Sequence, residues 1–580
     1  MIRITELSLP WGDPTEARTQ DALRRAILKR LGLREPDLES FTVFKRSHDA
    51  RRKDRELAFV YIVDVAVRDE AGVLAAHRDD RHVIPSPDTA FHPPPRSAGR
   101  DTDRPLVVGF GPCGLFTALV LAQQGYRPIV LERGRDVRRR TQDTWGLWRK
   151  RTLTPESNVQ FGEGGAGLFS DGKLYSQIKD PRHLGRQVMR EFVRAGAPPE
   201  IMWVNKPHIG TFRLTGVVAR MREEIIALGG EIRFGQKVVD LLVEPAPAGT
   251  DPAGASTVAE GTLQVRGVQL EGGEVIESRH VVLALGHSSR DTFRMLHRRG
   301  VFMEAKPFAI GFRIEHPQSM IDRARLGRFA GHPAIGAADY KLVHHAANGR
   351  SVYSFCMCPG GTVVAATSEP QRVVTNGMSQ YSRNERNANA GIVVGIDPER
   401  DFPGSPLAGI DLQERLESLA FEMGGGDYSA PAQLVGDFIA GRPSTTLGEV
   451  EPSYKPGVKP TDLAPLLPAD CIAAMREALS VFGRQIRGFD RDDAVLTGIE
   501  SRTSSPLRIT RDPATLQSLN VRGLYPGGEG AGYAGGILSA GVDGIKLAEA
   551  VAMDLHGHPA EHAAARPTSA RAAPTRQARA

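Results

Sequence analysis

Between Gly109 and Gly114 the chain reads Gly-Phe-Gly-Pro-Cys-Gly, and the acid Glu132 follows at about twenty residues, the spacing of a ribose-binding carboxylate. Gly109 allows a sharp turn, Gly111 lets backbone approach a pyrophosphate with no Cβ in the way, and Gly114 lets a helix pack closely on a strand. Glu132 would accept hydrogen bonds from the two ribose hydroxyls and repel a 2′-phosphate. The chemistry expected of this spacing is dinucleotide binding, with phosphates at a helix start that offers free N–H groups and a positive dipole end.

The elements needed to position these residues are legible around them. Leu106, Val107 and Val108 form an apolar run before the glycines, Leu115, Leu119 and Leu121 mark a helical face after them, and Pro128 to Leu131 is a second apolar strand ending in Glu132. The unit is βαβ. A second glycine-rich stretch, Asn158 to Lys173, contains Gly164, Gly165, Ala166 and Gly167 among Phe161, Leu168 and Phe169. It reads as a loop that brings backbone close to a ligand, with Ser170 and Lys173 facing pyrophosphate or a flavin edge. Val281 to Ser289 is a buried strand stopping at Gly286. The last stretch, Leu524 to Ile537, opens a long helix to about Leu555. Gly530, Gly532 and Gly535 repeat the glycine spacing, but no strand ending in an acid follows, so a second dinucleotide site is not expected.

Residues for redox or substrate chemistry are fewer. Cys356 and Cys358 form a close pair; a dithiol relay, a zinc site with His344 and His345, and a packed or substrate-facing role all remain open. Arg502, in Glu500-Ser501-Arg502, would bind a carboxylate substrate or make an interdomain ion pair with Glu500 or Asp512. Lys173, Arg313, Arg383 and Tyr533 are further candidates.

With 580 residues the chain is too long for one core. Its net charge of +6 is small for the length and is not a nucleic-acid signature. Four cysteines argue against a disulfide framework and fit a reducing cytosol, so a cytoplasmic location is expected. No signal peptide or membrane span is read. The expected organisation is α/β with a small N-terminal α+β domain (1–95), a linker (96–104) that closes a proline-rich stretch from 84 to 105, the first part of a Rossmann-like domain with a parallel sheet and a β-meander (105–300), an inserted α+β substrate domain (301–500), a C-terminal return (501–555) and a disordered tail (556–580). Residues 300 to 500 read as proline-containing mixed strands and short loops, with Arg383, Asn384, Arg386 and Asn389 having little to pack. Lys45 to Arg55 reads as a basic hairpin connection, either solvated or facing a phosphate-rich partner, and 245–260 as a flexible hairpin tip.

Taken together, these elements resemble the FAD-binding fold of the glutathione-reductase and fumarate-reductase type. KRSHDARRK, NVQFGEGGAGLFSDGKL, FCMCPGG, TNGMS, ESRTSSPLRI and GEGAGYAGGI resemble a family of bacterial FAD-dependent dehydrogenases over residues 1 to 552. The resemblance implies noncovalent FAD, with the cofactor facing Gly109, Gly111, Pro112, Gly114, Glu132, Arg133, Gly164, Gly165, Ala166, Gly167, Ser170 and Val238, then Gly286, Gly528, Glu529, Gly535, Gly536 and Ile537. It implies an FAD-dependent oxidoreductase, with Arg502, Cys356, Cys358 and Lys173 as catalytic candidates and no resident metal. A small-molecule substrate and a separate redox partner are expected, with NAD(P)H as a possible transient donor and no dedicated NAD(P)H domain. A flavoprotein acting on tRNA, anchored by the basic hairpin, and a non-catalytic flavin sensor are the alternatives. The resemblance is silent on substrate.

Overall fold

In the computed structural model, the Leu106–Val108 run is the central strand of a five-stranded sheet. The strand order is Leu524–Pro526, Val281–Leu283, Leu106–Val108, Ile129–Glu132 and Glu231–Phe234, with every pair parallel. The first four of these strands are buried along their whole length, which is why they read as unbroken apolar runs. The helix Pro112–Gln123 crosses the helix Ile537–Leu555 at close range: a Cβ on Gly544 would lie 2.2 Å from the Cys113 carbonyl oxygen, and Thr117 donates to the Gly544 carbonyl. The structure describes residues 1–10, 16–49, 58–99, 103–246, 262–333 and 335–557. The tip of the basic hairpin, most of the 245–260 turn and nearly all of the tail expected from 556 lie outside them.

Beside the parallel sheet, Val238–Pro245, Leu263–Leu270 and Val275–Glu277 form the expected antiparallel meander, extended by Val521–Arg522. The N-terminal unit is a four-stranded antiparallel sheet ordered Leu38–Asp49, Ala58–Val67, Ile2–Pro10, Val83–Pro85. Leu23, Ile27 and Leu31 of the helix Glu16–Leu31 enter its core. It docks on the nucleotide unit through a backbone bond from Asn205 to the Arg46 carbonyl and through the Arg186 guanidinium over the Phe44 ring at 4.2 Å.

Between Phe308 and Glu500 the chain builds an eight-stranded sheet. Its central strands, Ser351–Ala365, Asn387–Ile396, Phe308–Pro317 and Val495–Glu500, are antiparallel neighbours. Two 17-residue helices, Ala408–Gly424 and Ala469–Gln485, pack on this sheet. The region is therefore richer in helix than its proline content suggests. The segment expected to have little to pack divides: Asn384 and Arg386 are exposed, but Asn387–Ile396 is buried almost throughout, Asn389 accepts from Arg313, and Arg383 pairs with Asp171. These polar residues look solvated in sequence because their partners are remote. No helix among the described residues is long and apolar enough to cross a membrane.

Candidate active site

One cavity of about 500 Å³ lies where the C-terminal ends of the parallel strands meet the large sheet, within the range of about 300–1,000 Å³ common to small-molecule sites. Its first wall is the glycine turn. Gly109 has φ +102°, and a Cβ there would lie 2.5 Å from the Ala284 carbonyl oxygen. Gly111 is the N-cap of the helix Pro112–Gln123; it offers no side-chain cap and is followed by Pro112, so the helix start is open to an anion. Gly114 plays its packing role against the turn itself, since a Cβ would lie 2.0 Å from the Gly109 carbonyl oxygen.

Glu132 does more than face the cavity. Oε2 accepts from the Phe110 N–H at 2.8 Å, and Oε1 accepts from Gly134 at 2.8 Å and Gly162 at 2.9 Å. A carboxylate has about four lone-pair sites, which leaves room for one ribose hydroxyl rather than two. Arg133 points elsewhere: it pairs with Glu156 and Asp291 and stacks on Phe161.

The second glycine stretch is fixed from below by Arg140, a residue that the sequence reading passes over. Fully buried on the helix Val137–Lys150, it donates to the carbonyls of Asn158, Val159, Gly162 and Glu163. Burial pulls its guanidinium down to about 10, still cationic at neutral pH. The loop so held brings Gly165 against Gly111 and Gly167 against Ile537. Ser170 serves the loop, donating to the Gly167 carbonyl and accepting from Gly172.

The third wall is the start of the helix Ile537–Leu555, whose N-cap Gly536 has φ +102° and no side-chain cap. A Cβ added at Gly535 or Gly286 would meet nothing within 4 Å, so both border open space. Gly528 lies behind, its N–H donating to Asp543, which Arg511 anchors. His287, next to Gly286, is buried on the cavity wall with neither ring nitrogen hydrogen-bonded; Nδ1 lies 3.3 Å from Glu529. A buried imidazole whose Nε2 has no partner is a group that a ligand would satisfy. Two uncapped helix starts, glycines bordering space and this imidazole fit an extended phosphate-containing cofactor such as FAD.

At the other end stand Lys173, Cys356, Asn376 and Glu500. Fully buried Arg313 binds Glu500 through Nε at 2.6 Å and Nη2 at 2.9 Å, and also donates to the Cys356 carbonyl and to Asn389. Lys173 donates to the Met357 carbonyl and lies 3.8 Å from Asp171. Burial alone would depress the Lys173 ammonium, but Cys358, Cys356 and Asp171 hold it above its ordinary value. Burial raises the Glu500 carboxyl against the pull of Arg313.

Most of the expected positions therefore converge. Gly109, Gly111, Pro112, Glu132, Arg133, Gly165, Ala166, Gly167, Ser170 and Val238 line the cavity, as do Gly286, Glu529, Gly535, Gly536, Ile537, Lys173, Cys356 and Arg502. Gly114, Gly164, Gly528 and Cys358 sit behind the wall. Arg502 has no donor left: its guanidinium binds Glu417, Glu369, Ser288 and Ser368. Its ion-pair partners are thus Glu417 and Glu369 rather than Glu500 or Asp512. His344 is taken by Glu477 and His345 by Ser351, and no metal-holding cluster occurs among the described residues. Tyr533 accepts from the Arg511 N–H and stacks on that side chain.

Known proteins resemble the chain as follows. Residues 307–503 match the family described as FAD-dependent protein, C-terminal domain-like, and residues 1–66 match a domain of unknown function (DUF8436). An uncharacterised protein of Clostridium beijerinckii is 46% identical over 550 residues, 94% of this chain and 98% of its own length. Among solved structures, the halogenase PltM aligns at 10% identity over 79% of this chain and 71% of its own (TM-score 0.35). Glycine oxidase from Bacillus cereus aligns at 11% over 80% and 99% (TM-score 0.31). Sharing nearly its whole length with the clostridial protein and carrying the matched C-terminal domain, the chain belongs to this family of FAD-dependent proteins.

Proposed function

We propose that the protein is an FAD-dependent oxidoreductase that exchanges a hydride with a small organic substrate held at the Lys173, Cys356 and Asn376 end of the cavity. A separate redox partner completes the cycle. The observation that carries this reading is the continuity of one cavity from Gly111 and Glu132, past the helix start at Gly536, to Cys356. FAD, held noncovalently, supplies the two-electron chemistry.

The chain's own residues bind, orient and exclude water. The glycine turn and the helix start at Pro112 receive phosphates, while Glu132 takes a ribose hydroxyl. The helix start at Ile537 favours negative charge beside it. Glu529 and His287 offer polar contacts along the middle of the cavity, and Lys173 places a positive charge at the substrate end, which favours an anionic or carbonyl-bearing substrate. Arg502 stays in the proposal only as part of the wall, because its five donors are spent.

The test is anaerobic. The purified protein should show a flavin spectrum, and stopped-flow mixing with NADH and then NADPH reports whether a nicotinamide can reach the site. Fast bleaching would identify nicotinamide as donor and direct the search to acceptors. With a dithionite-reducible flavin that neither nucleotide bleaches, the substrate or a partner protein is the donor. A protein purified and reconstituted without any retained flavin would overturn the reading.

A further inference from the structure

We propose that Cys356 and Cys358 form a dithiol–disulfide couple that opens onto the cavity and exchanges with a small organic disulfide. The couple lies on the large sheet, on the strand Ser351–Ala365. Phe355 pairs with Gly391 and Cys358 with Asn389, so three steps on one strand match two on its neighbour. The additional residue makes a bulge, a device that re-aims side chains near active sites. Within it Cys356 has φ +43°, a left-handed conformation that non-glycine residues seldom adopt. Arg313 holds this backbone by donating to the Cys356 carbonyl at 2.9 Å, and Lys173 holds the next carbonyl, that of Met357.

The two sulfurs have different surroundings. Cys356 lines the cavity, whereas Cys358 is fully buried behind it and its Sγ donates to the Cys356 carbonyl at 3.3 Å. Both are free thiols. An accessible attacking sulfur with a sheltered resolving sulfur beside it is the arrangement that thiol–disulfide exchange needs. The Cys358 side chain beside it, with the Lys173 and Arg313 charges and against burial, holds the Cys356 thiol well below its ordinary range; the same pairing and burial push Cys358 well above it. Lys173 and Arg313 act as positioning residues, since neither need touch the disulfide.

The exchange balances as follows. The Cys356 thiolate attacks one sulfur of R–S–S–R, the sulfur–sulfur bond breaks, and the first thiolate leaves and takes up a proton. Cys358 gives up its proton and attacks the Cys356 sulfur of the mixed disulfide, releasing the second thiol. Two protein thiols lose two electrons and two protons, and the organic disulfide gains both. The proposal concerns the cavity assigned above to the flavin but does not depend on that assignment.

The test uses the full-length, flavin-bearing protein, reduced, freed of reductant under anaerobic conditions and mixed with excess 2-hydroxyethyl disulfide. Remaining thiols are then alkylated and mapped by mass spectrometry. The expected product joins Cys356 to Cys358 in a peptide lighter by two hydrogens, with neither residue alkylated. Cys358→Ser should stop at a hydroxyethyl mixed disulfide on Cys356, and Cys356→Ser should give no adduct in this segment. Wild-type protein whose Cys356 and Cys358 remain fully alkylatable, or a Cys358→Ser variant that traps nothing on Cys356, would overturn the proposal. Flavin absorbance of the same samples is read independently: stoichiometric flavin with unreacted thiols sinks only the couple, and a disulfide formed without retained flavin sinks only the cofactor assignment.

Discussion

A Cβ built on Gly165 would lie 2.8 Å from the Cα of Gly111, so the glycine turn after the first strand and the second glycine loop meet backbone to backbone at the mouth of one helix. The proposed nucleotide site rests on this contact rather than on either motif alone. Gly165 also has φ +59° with ψ −170°, a region essentially reserved for glycine, where a side chain costs about 1–3 kcal/mol. Gly165→Ala must therefore push the two loops apart. Its FAD affinity should fall by about tenfold or more, at 1.4 kcal/mol per decade, while the N-terminal unit stays folded. Flavin retention after dialysis measures this, and stoichiometric retention would show that the contact is dispensable.

Glu132→Gln tests a different part of the same wall. The native carboxylate receives three backbone N–H groups on two acceptor oxygens. An amide has one acceptor oxygen, so its NH₂ must face at least one of those N–H groups, leaving a buried donor unsatisfied at about 1–3 kcal/mol. Weaker FAD binding together with a lower unfolding midpoint of the apoprotein is expected. Had the acid acted only on ribose, the apoprotein would be unchanged, and finding it so would refute the organising role.

Much of this site is legible in the sequence because its signals are local. Glycine spacing, apolar strands and the acid after the second strand all fall within a single βαβ unit. Arg140, His287 and Glu417 are not legible, because each has meaning only through remote partners. Arg140 reaches carbonyls on a loop that no periodicity ties to its helix. Glu417 lies on an ordinary amphipathic helix, and only folding brings Arg290 and Arg502 to it. The bulge at Cys356 depends on register with Asn387–Ile396, a partner that no local pattern announces.

Arg502 and Glu417 illustrate how an apparent substrate residue becomes part of the framework. Glu417 is fully buried, and although burial would raise its carboxyl, Arg290 and Arg502 hold it well below the usual range. Removing one partner of such a buried pair costs about 3–5 kcal/mol. Arg502→Met should lower the unfolding midpoint, and adding Glu417→Gln should cost much less than it does in the wild-type background, giving a coupling of at least about 1 kcal/mol. Strictly additive effects would return Arg502 to the list of substrate ligands.

His280 provides a pH signature far from the cavity. Its ring lies between Asp103 at 2.8 Å and Asp554 at 3.1 Å, tying the chain before the first strand to the end of the last helix. Burial would lower its pKa, but the hydrogen bonds to Asp103 and Asp554 prevail and raise it to about 9. A folded-state value above the unfolded one, about 6.5, means that the native state binds the proton more tightly. The stabilisation is therefore fully present below about pH 6.5 and is lost as pH rises through about 9. At roughly 1.4 kcal/mol per unit its upper bound is on the order of 3 kcal/mol. Thermal unfolding of wild type and His280→Gln at pH 6 and pH 9.5 isolates it from other titrating groups. Wild type should lose more stability than the variant between these pH values, and equal losses in the two proteins would remove His280 from the account.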